Sequence, residues 1–339
     1  MKARVLNLAE LVRYYDAYNR SEGKSPSTLR WYNQVLRLFL EWLTETGRST
    51  NLKDIDEFCV REFILGVQSH QVNGHPVTVQ TVHNRVRALR AFFNWLYRNN
   101  YTQTHVLQNL HPPRLPQVLV QTLTDEEITK IFACQDASTM NGSRNIAIMA
   151  LFLDTGLRCA ELTGLRLDNV DLEAQYVKVM GKGSKERMIS FGAATRRTLL
   201  QYLIQHRGEP AHGGVTQFFL TLDGYGMTIE AVRSQVRRLA KASGVKRLYP
   251  HLCRHTYATN FLINGGNVML LKQNLGHSTL DMVNHYVHLA TSRAAILSKS
   301  FSPLDKMNLR SLRRGGYRAR TNNAEKVRVY GQHTGGKSG

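Results

Sequence analysis

Between Ser25 and Gly47 the apolar residues Tyr32, Val35, Phe39, Trp42 and Leu43 recur at intervals of three and four, so one face of a helix is apolar and the rest polar. Ser27 or Thr28 is placed to cap its N-terminus. The same spacing returns in TVHNRVRALRAFFNWLYRNN, where Val82, Val86, Leu89, Phe93 and Leu96 share a face and Arg85, Arg87 and Arg90 lie mostly off it. The first hundred or so residues therefore predict a small helical bundle, with basic faces left for solvent or for DNA.

The helical pattern stops at His111-Pro112-Pro113-Arg114-Leu115-Pro116, because proline removes amide donors and restricts the residue before it. This predicts a linker over 111–117 between a helical domain, 1–110, and a second domain, 118–300. The second domain opens on Thr124-Asp125-Glu126-Glu127, whose Thr-x-x-Glu spacing matches a capping box. Apolar helices follow around 142–156. Two short alternating runs within 175–191 then flank Gly181-Lys182-Gly183-Ser184, which predicts a β-hairpin with a Gly-rich, basic turn. Helical patterns resume over 193–207, 227–243 and 250–300. The expected fold class is mainly α with a small β-sheet: a helical N-terminal domain followed by a mixed α/β domain. Residues 301–339 are Gly- and Arg-rich with few large apolar side chains, and read as a basic, disordered tail, with nonspecific DNA contact as the functional alternative.

Charge narrows the partners. The 339 residues hold 45 Lys and Arg against 25 Asp and Glu, a formal net charge of +20, which concentrates polyanions around the protein. Nucleic acid leads that class; ribosomal and anionic-membrane partners also fit. The four cysteines, Cys59, Cys134, Cys159 and Cys253, form no C-x-x-C pair, so neither a zinc knuckle nor a disulfide framework is expected, only reduced thiols in a cytoplasmic protein. The N-terminal segment is broken by charge every few residues and lacks a signal-peptide core, and no run approaches the roughly 18 apolar residues of a membrane span.

Several residues carry candidate chemistry, and each alone has a plain structural reading. Arg158, in TGLRCAEL, follows Gly156 at a break between helices and has Glu161 three residues on as a salt-bridge partner. Lys182 sits among glycines like a solvated turn residue; a phosphate loop is excluded because Gly183 rather than Ser or Thr follows it. His251 and Arg254 stand three apart just after Pro250, which suits a helix's first turn, so they share a face and crowd unless an anion lies between them. His277 precedes a helix start at Ser278 with Asp281 three later, which places Tyr286 about two turns inside.

Taken together, the order of Arg in TGLRCAEL, Lys in GKGSKER, His-x-x-Arg in HLCRH, Leu-Gly-His, and Tyr nine residues after that His resembles the catalytic domain of tyrosine recombinases such as Xer recombinases and phage or transposon integrases. The resemblance spans roughly residues 5–300 and implies a site-specific recombinase whose two domains form a C-shaped clamp on double-stranded DNA. It implies that Arg158, Lys182, His251, Arg254 and His277 gather around a phosphate, that Tyr286 is the nucleophile, and that Glu161 supports Arg158. It also implies a 3′-phosphotyrosyl intermediate formed without metal or ATP, and a tetramer of protomers on two DNA sites.

Two arginine forks that stay charged at physiological pH can stabilise the more anionic transition state of phosphoryl transfer, as a divalent metal does elsewhere. His251 suits removal of the tyrosine proton, Lys182 protonation of the leaving oxygen, and His277 a hydrogen bond to a non-bridging oxygen. A metal-dependent nuclease would need clustered carboxylates, which are dispersed here. A type IB topoisomerase uses nearly the same groups but acts alone, and a noncatalytic DNA-binding protein would not need the full set.

Overall fold

The computed structural model describes residues 7–69, 71–72, 74–116, 121–181, 186–277, 279–280, 283–284 and 286–287. The chain divides into two compact units, Met1–Val118 and Leu119–Gly339. Lys182, Ser278, Asp281 and the 301–339 segment lie outside the described residues.

In the first unit, helices α1 (Leu8–Ser21), α2 (Pro26–Glu45), α3 (Glu57–Ser69) and α4 (Val79–Arg98) enclose one apolar core. Each start follows from a side-chain cap. Asn7 accepts from the Ala9 amide, and Thr78 from the Thr81 amide. The cap of α2 is Ser25, not Ser27 or Thr28: Pro26 takes the first helical position, where its missing amide costs nothing, and the residue before it supplies the capping oxygen to the Thr28 amide at 3.3 Å. Tyr15 of α1 packs edge-on against Phe92 and beside Trp95 of α4, with ring centroids 5.3 and 5.2 Å apart. Full burial of an aromatic or Leu side chain of this kind contributes about 1.5–3 kcal/mol. One departure from the all-helical expectation is the two-residue antiparallel ribbon β1 (Gln71–Val72) and β2 (His75–Pro76) between α3 and α4.

The second unit opens with α5 (Asp125–Ala133), whose capping box is complete: the Thr124 side chain accepts from the Glu127 amide, and Glu127 accepts from the Thr124 amide. Helix α6 (Met140–Thr155) is buried on nearly every side and packs against α8 (Ala193–Gln201) and α10 (Pro250–Ile263), so it forms the axis of this domain. Gly156 ends it in the left-handed region, φ +63°, and a β-carbon there would overlap the ring of Tyr257. The chain then turns into the short α7 (Cys159–Thr163).

An antiparallel sheet follows in the order β3 (Val170–Asp171), β4 (Tyr176–Met180), β5 (Glu186–Ser190). Its β4–β5 pair is the expected hairpin, in register from Tyr176↔Ser190 to Met180↔Glu186. Val177, Val179, Arg187 and Ile189 point inward. A single π turn, Tyr202–His206, extends α8, and α9 (Ile229–Ala242) lays Val232, Val236 and Leu239 on the core. The helical pattern expected over 250–300 is broken at Gly265-Gly266, with Gly265 at φ +87°, so α10 gives way to a separate α11 (Val268–Leu275).

Candidate active site

Glu161 is shared by two arginines, Arg158 three residues before it and Arg187 from the β5 strand. Its side chain is 7% exposed, and Oε1 accepts from Arg158 Nη1 at 2.9 Å. Its Oε2 accepts from the Arg158 amide at 2.8 Å and from Arg187 Nη2 at 2.9 Å. Burial acts to raise the Glu161 pKa, but the bonds from Arg187 and Arg158 outweigh it and hold the carboxyl below its usual range. Arg158, at the N-cap of α7, is thereby fixed at its base while a third of its side chain remains accessible.

Arg254 is presented by the first turns of α10, which Pro250 starts at N1. It is 4% exposed and binds three ways: Nη1 donates to the Gly156 carbonyl at 2.7 Å, and Nη2 to the Leu275 carbonyl at 2.6 Å and to His277 Nε2 at 3.0 Å. Burial, and then the nearby Arg158 charge, push its pKa down to about 10, so it stays cationic at neutral pH. The left-handed Gly156 corner and the end of α11 thus exist partly to receive this fork.

His277 follows Gly276, the left-handed C-cap of α11 at φ +61°, and its amide closes the turn onto the Lys272 carbonyl. Burial and the charges of Arg254, Arg158 and Arg187 push the His277 pKa down to about 4, so the ring is neutral at pH 7. Because Arg254 can only donate, Nε2 accepts, which leaves the ring proton on Nδ1; that atom is buried with no partner among the described residues. The ring stacks over Tyr286, centroids 6.3 Å apart and planes 15° apart.

Tyr286 is 5% exposed and packs in an apolar cluster with Tyr257, Leu271, Leu275 and Val283. Burial raises its pKa, against the opposing charges of Arg254 and Arg158 and a hydrogen bond from Arg254. The hydroxyl is therefore protonated at rest and faces the arginines. His251, one turn before Arg254, is an exposed residue; partial burial of its ring, then the charges of Arg254, Arg158 and Arg233, lower its pKa, so it is a free base at neutral pH.

The fold thus brings Arg158, Glu161, His251, Arg254, His277 and Tyr286 together from segments as far apart as residues 158 and 286. Two supporting residues escaped the reading of the sequence. Arg187 donates to Glu161 and, through Nε, to the Asn274 carbonyl at 2.9 Å, while Asn274 donates to the Tyr257 hydroxyl at 2.9 Å. The signal for Arg187 was its place in the inward register of an alternating strand, where an apolar residue is normal.

The sequence profile described as the phage integrase family matches residues 121–293, more than half of the chain. The chain belongs to the phage integrase family. A second profile, the phage integrase N-terminal SAM-like domain, matches residues 11–100. Among its curated relatives, the tyrosine recombinase XerC of Bacillus pumilus is 29% identical over 290 residues, covering 84% of this chain and 93% of the relative. XerD of Listeria innocua is 28% identical over 285 residues, covering 83% and 94%. This phage integrase family member is thus an enzyme of the tyrosine recombinase class.

Its fold agrees with two solved structures: the XerH recombinase bound to palindromic difH in a post-cleavage complex (TM-score 0.66, 21% identity, 88% of this chain and 84% of that one), and the Tn1549 transposon integrase with transposon right-end DNA (TM-score 0.66, 20% identity, 87% and 99%). Among the described residues, no helix is long and apolar enough to cross a membrane.

Proposed function

We propose that this recombinase cleaves and rejoins duplex DNA through a 3′-phosphotyrosyl intermediate formed by Tyr286, with neither metal nor ATP taking part. The observation that carries the reading is the convergence of Arg254, His277 and Tyr286 at hydrogen-bonding or stacking distance, with Arg158 in electrostatic reach. The Tyr286 oxygen attacks phosphorus and its proton passes to His251. The bond from phosphorus to the 5′ oxygen breaks, and that oxygen takes a proton from Lys182. Arg158 and Arg254 hold the non-bridging oxygens in the transition state, where preorganised donors act most strongly. When phosphate engages the Arg254 fork, His277 Nε2 is released to carry the ring proton and to donate to a non-bridging oxygen.

The same proposal takes 1–110 as the core-binding domain, 111–117 as linker and 118–300 as catalytic domain, acting on double-stranded DNA. Four protomers assemble on two sites. The surplus of positive charge and the DNA complexes of the XerH and Tn1549 neighbours support a DNA substrate.

The test is incubation with a labelled, nicked duplex in EDTA without ATP. A denaturant-resistant protein–DNA adduct is expected with the native chain and none with Tyr286→Phe. An adduct that survives in Tyr286→Phe, or one that appears only on adding a divalent metal, overturns the reading.

A further inference from the structure

A salt bridge between Arg158 and Glu161 alone presents a difficulty for a phosphate-binding arginine, because the pair is neutral and offers an anion little. Arg187 removes that difficulty. It is buried on the inner face of β5, and it binds Glu161 Oε2 at 2.9 Å while Arg158 Nη1 binds Oε1. Two arginines sharing one carboxylate leave a unit of positive charge, and the accessible member is Arg158: its side chain is 33% exposed against 7% for Arg187. Arg187 is held in place from the other side. Its Nε donates to the Asn274 carbonyl at 2.9 Å, and its Cζ lies 3.1 Å from where a β-carbon on Gly276 would project, so the left-handed glycine in the turn before His277 lets the guanidinium pack closely. A buried cation is tolerated only with such partners.

We propose that Arg187 is a positioning residue for strand cleavage: it shares the Glu161 carboxylate so that Arg158 is held by that carboxylate without being neutralised by it. The inference rests on the reading of Arg158 as a group that carries charge to the scissile phosphate. It separates the two arginines by task. Arg158 meets the DNA, and Arg187 sets the net charge and the placement with which it does so.

The test uses the full chain, a nicked duplex, and a matched duplex with a neutral methylphosphonate in place of the scissile phosphate, on which no anionic oxygen needs neutralising. Arg187→Gln is expected to bind the duplex as tightly as the native chain but to form adduct about 100-fold more slowly, the scale of a misplaced catalytic group. On methylphosphonate the deficit should shrink to less than about 10-fold. Adding Glu161→Gln to Arg187→Gln restores the net charge around Arg158 and should recover much of the lost rate on phosphate; if Arg187→Gln alone fails to fold, this double variant, which buries no carboxylate at that position, carries the comparison with the native chain.

Native-like cleavage by Arg187→Gln, equal deficits on the two substrates, or a double variant that recovers nothing would each overturn the proposal. Arg158→Ala keeps this outcome apart from failure of the underlying reading. If its deficit is no smaller on methylphosphonate, the role of Arg158 is wrong and the proposal falls with it. If Arg158→Ala responds to the neutral substrate and Arg187→Gln does not, only the proposal falls.

Discussion

His277 shows how a residue of the candidate site can govern stability. Its folded pKa of about 4 lies below the 6.5 of a free histidine, because the ring is partly buried among Arg254, Arg158 and Arg187. Between those values the unfolded chain binds a proton that the folded chain does not, so stability rises with pH across this window and falls on acidification from about 6.5 towards 4. A His277→Gln variant, which can still accept from Arg254, should lose less of its thermal midpoint between pH 7 and pH 5 than the native chain does; parallel losses would show that His277 does not titrate in this range.

Arg254 makes a second case at this scale. A lysine would keep the charge but cannot reach Gly156, Leu275 and His277 at once. Arg254→Lys should therefore cost about 1–3 kcal/mol for each buried carbonyl it orphans, read by urea unfolding, and slow adduct formation by about 10²–10³-fold. The candidate residues stood out in the sequence because their order along the chain is distinctive. Arg187 was not, because an arginine beside a Gly-Lys-Gly turn looks solvated until its strand register is known.

Among elements, the legible features were those written in local rules. The capping box at Thr124, Pro250 at a helix start and the β4–β5 alternation all have their cause within a few residues. The misses have two origins. The Ser25 cap was in the sequence, since a proline one residue later fixes where the helix begins. The two-residue strand β3 was not, because only pairing with β4 defines it. The corner at Gly156 links both kinds: a glycine between helices is readable, but its contact with Tyr257 comes from a hundred residues away. Gly156→Ala faces both the left-handed backbone and the Tyr257 ring. It should lower unfolding stability by about 1–3 kcal/mol or more and slow cleavage, since the Gly156 carbonyl anchors Arg254. An unchanged denaturation midpoint would show that the corner relaxes freely.

For the whole molecule, charge is the property that the sequence gives away most directly. A surplus of 20 positive charges predicts that the logarithm of duplex affinity falls linearly with the logarithm of salt concentration, by roughly 0.9 per phosphate neutralised. Titrations across a range of salt would measure the slope, and a flat line would remove electrostatics as the source of binding. The chain divides into two units, each with its own core, and the stretch where hydrophobic periodicity is interrupted by prolines lies just before that division.

Tyr286 belongs to the apolar cluster of the second unit as much as to its chemistry. If Tyr286 is the nucleophile proposed above, a nucleophile that doubles as a wall of the core makes restraint a matter of packing quality. On that reading, a change at Leu271, Leu275 or Val283 that loosens the cluster is expected to free the hydroxyl before the domain melts, so that discretion is lost ahead of stability. On the proposed mechanism, then, the buried aliphatic side chains around Tyr286 guard the DNA as much as the arginines act on it, because a nucleophile that acts out of turn would cut where no partner strand waits.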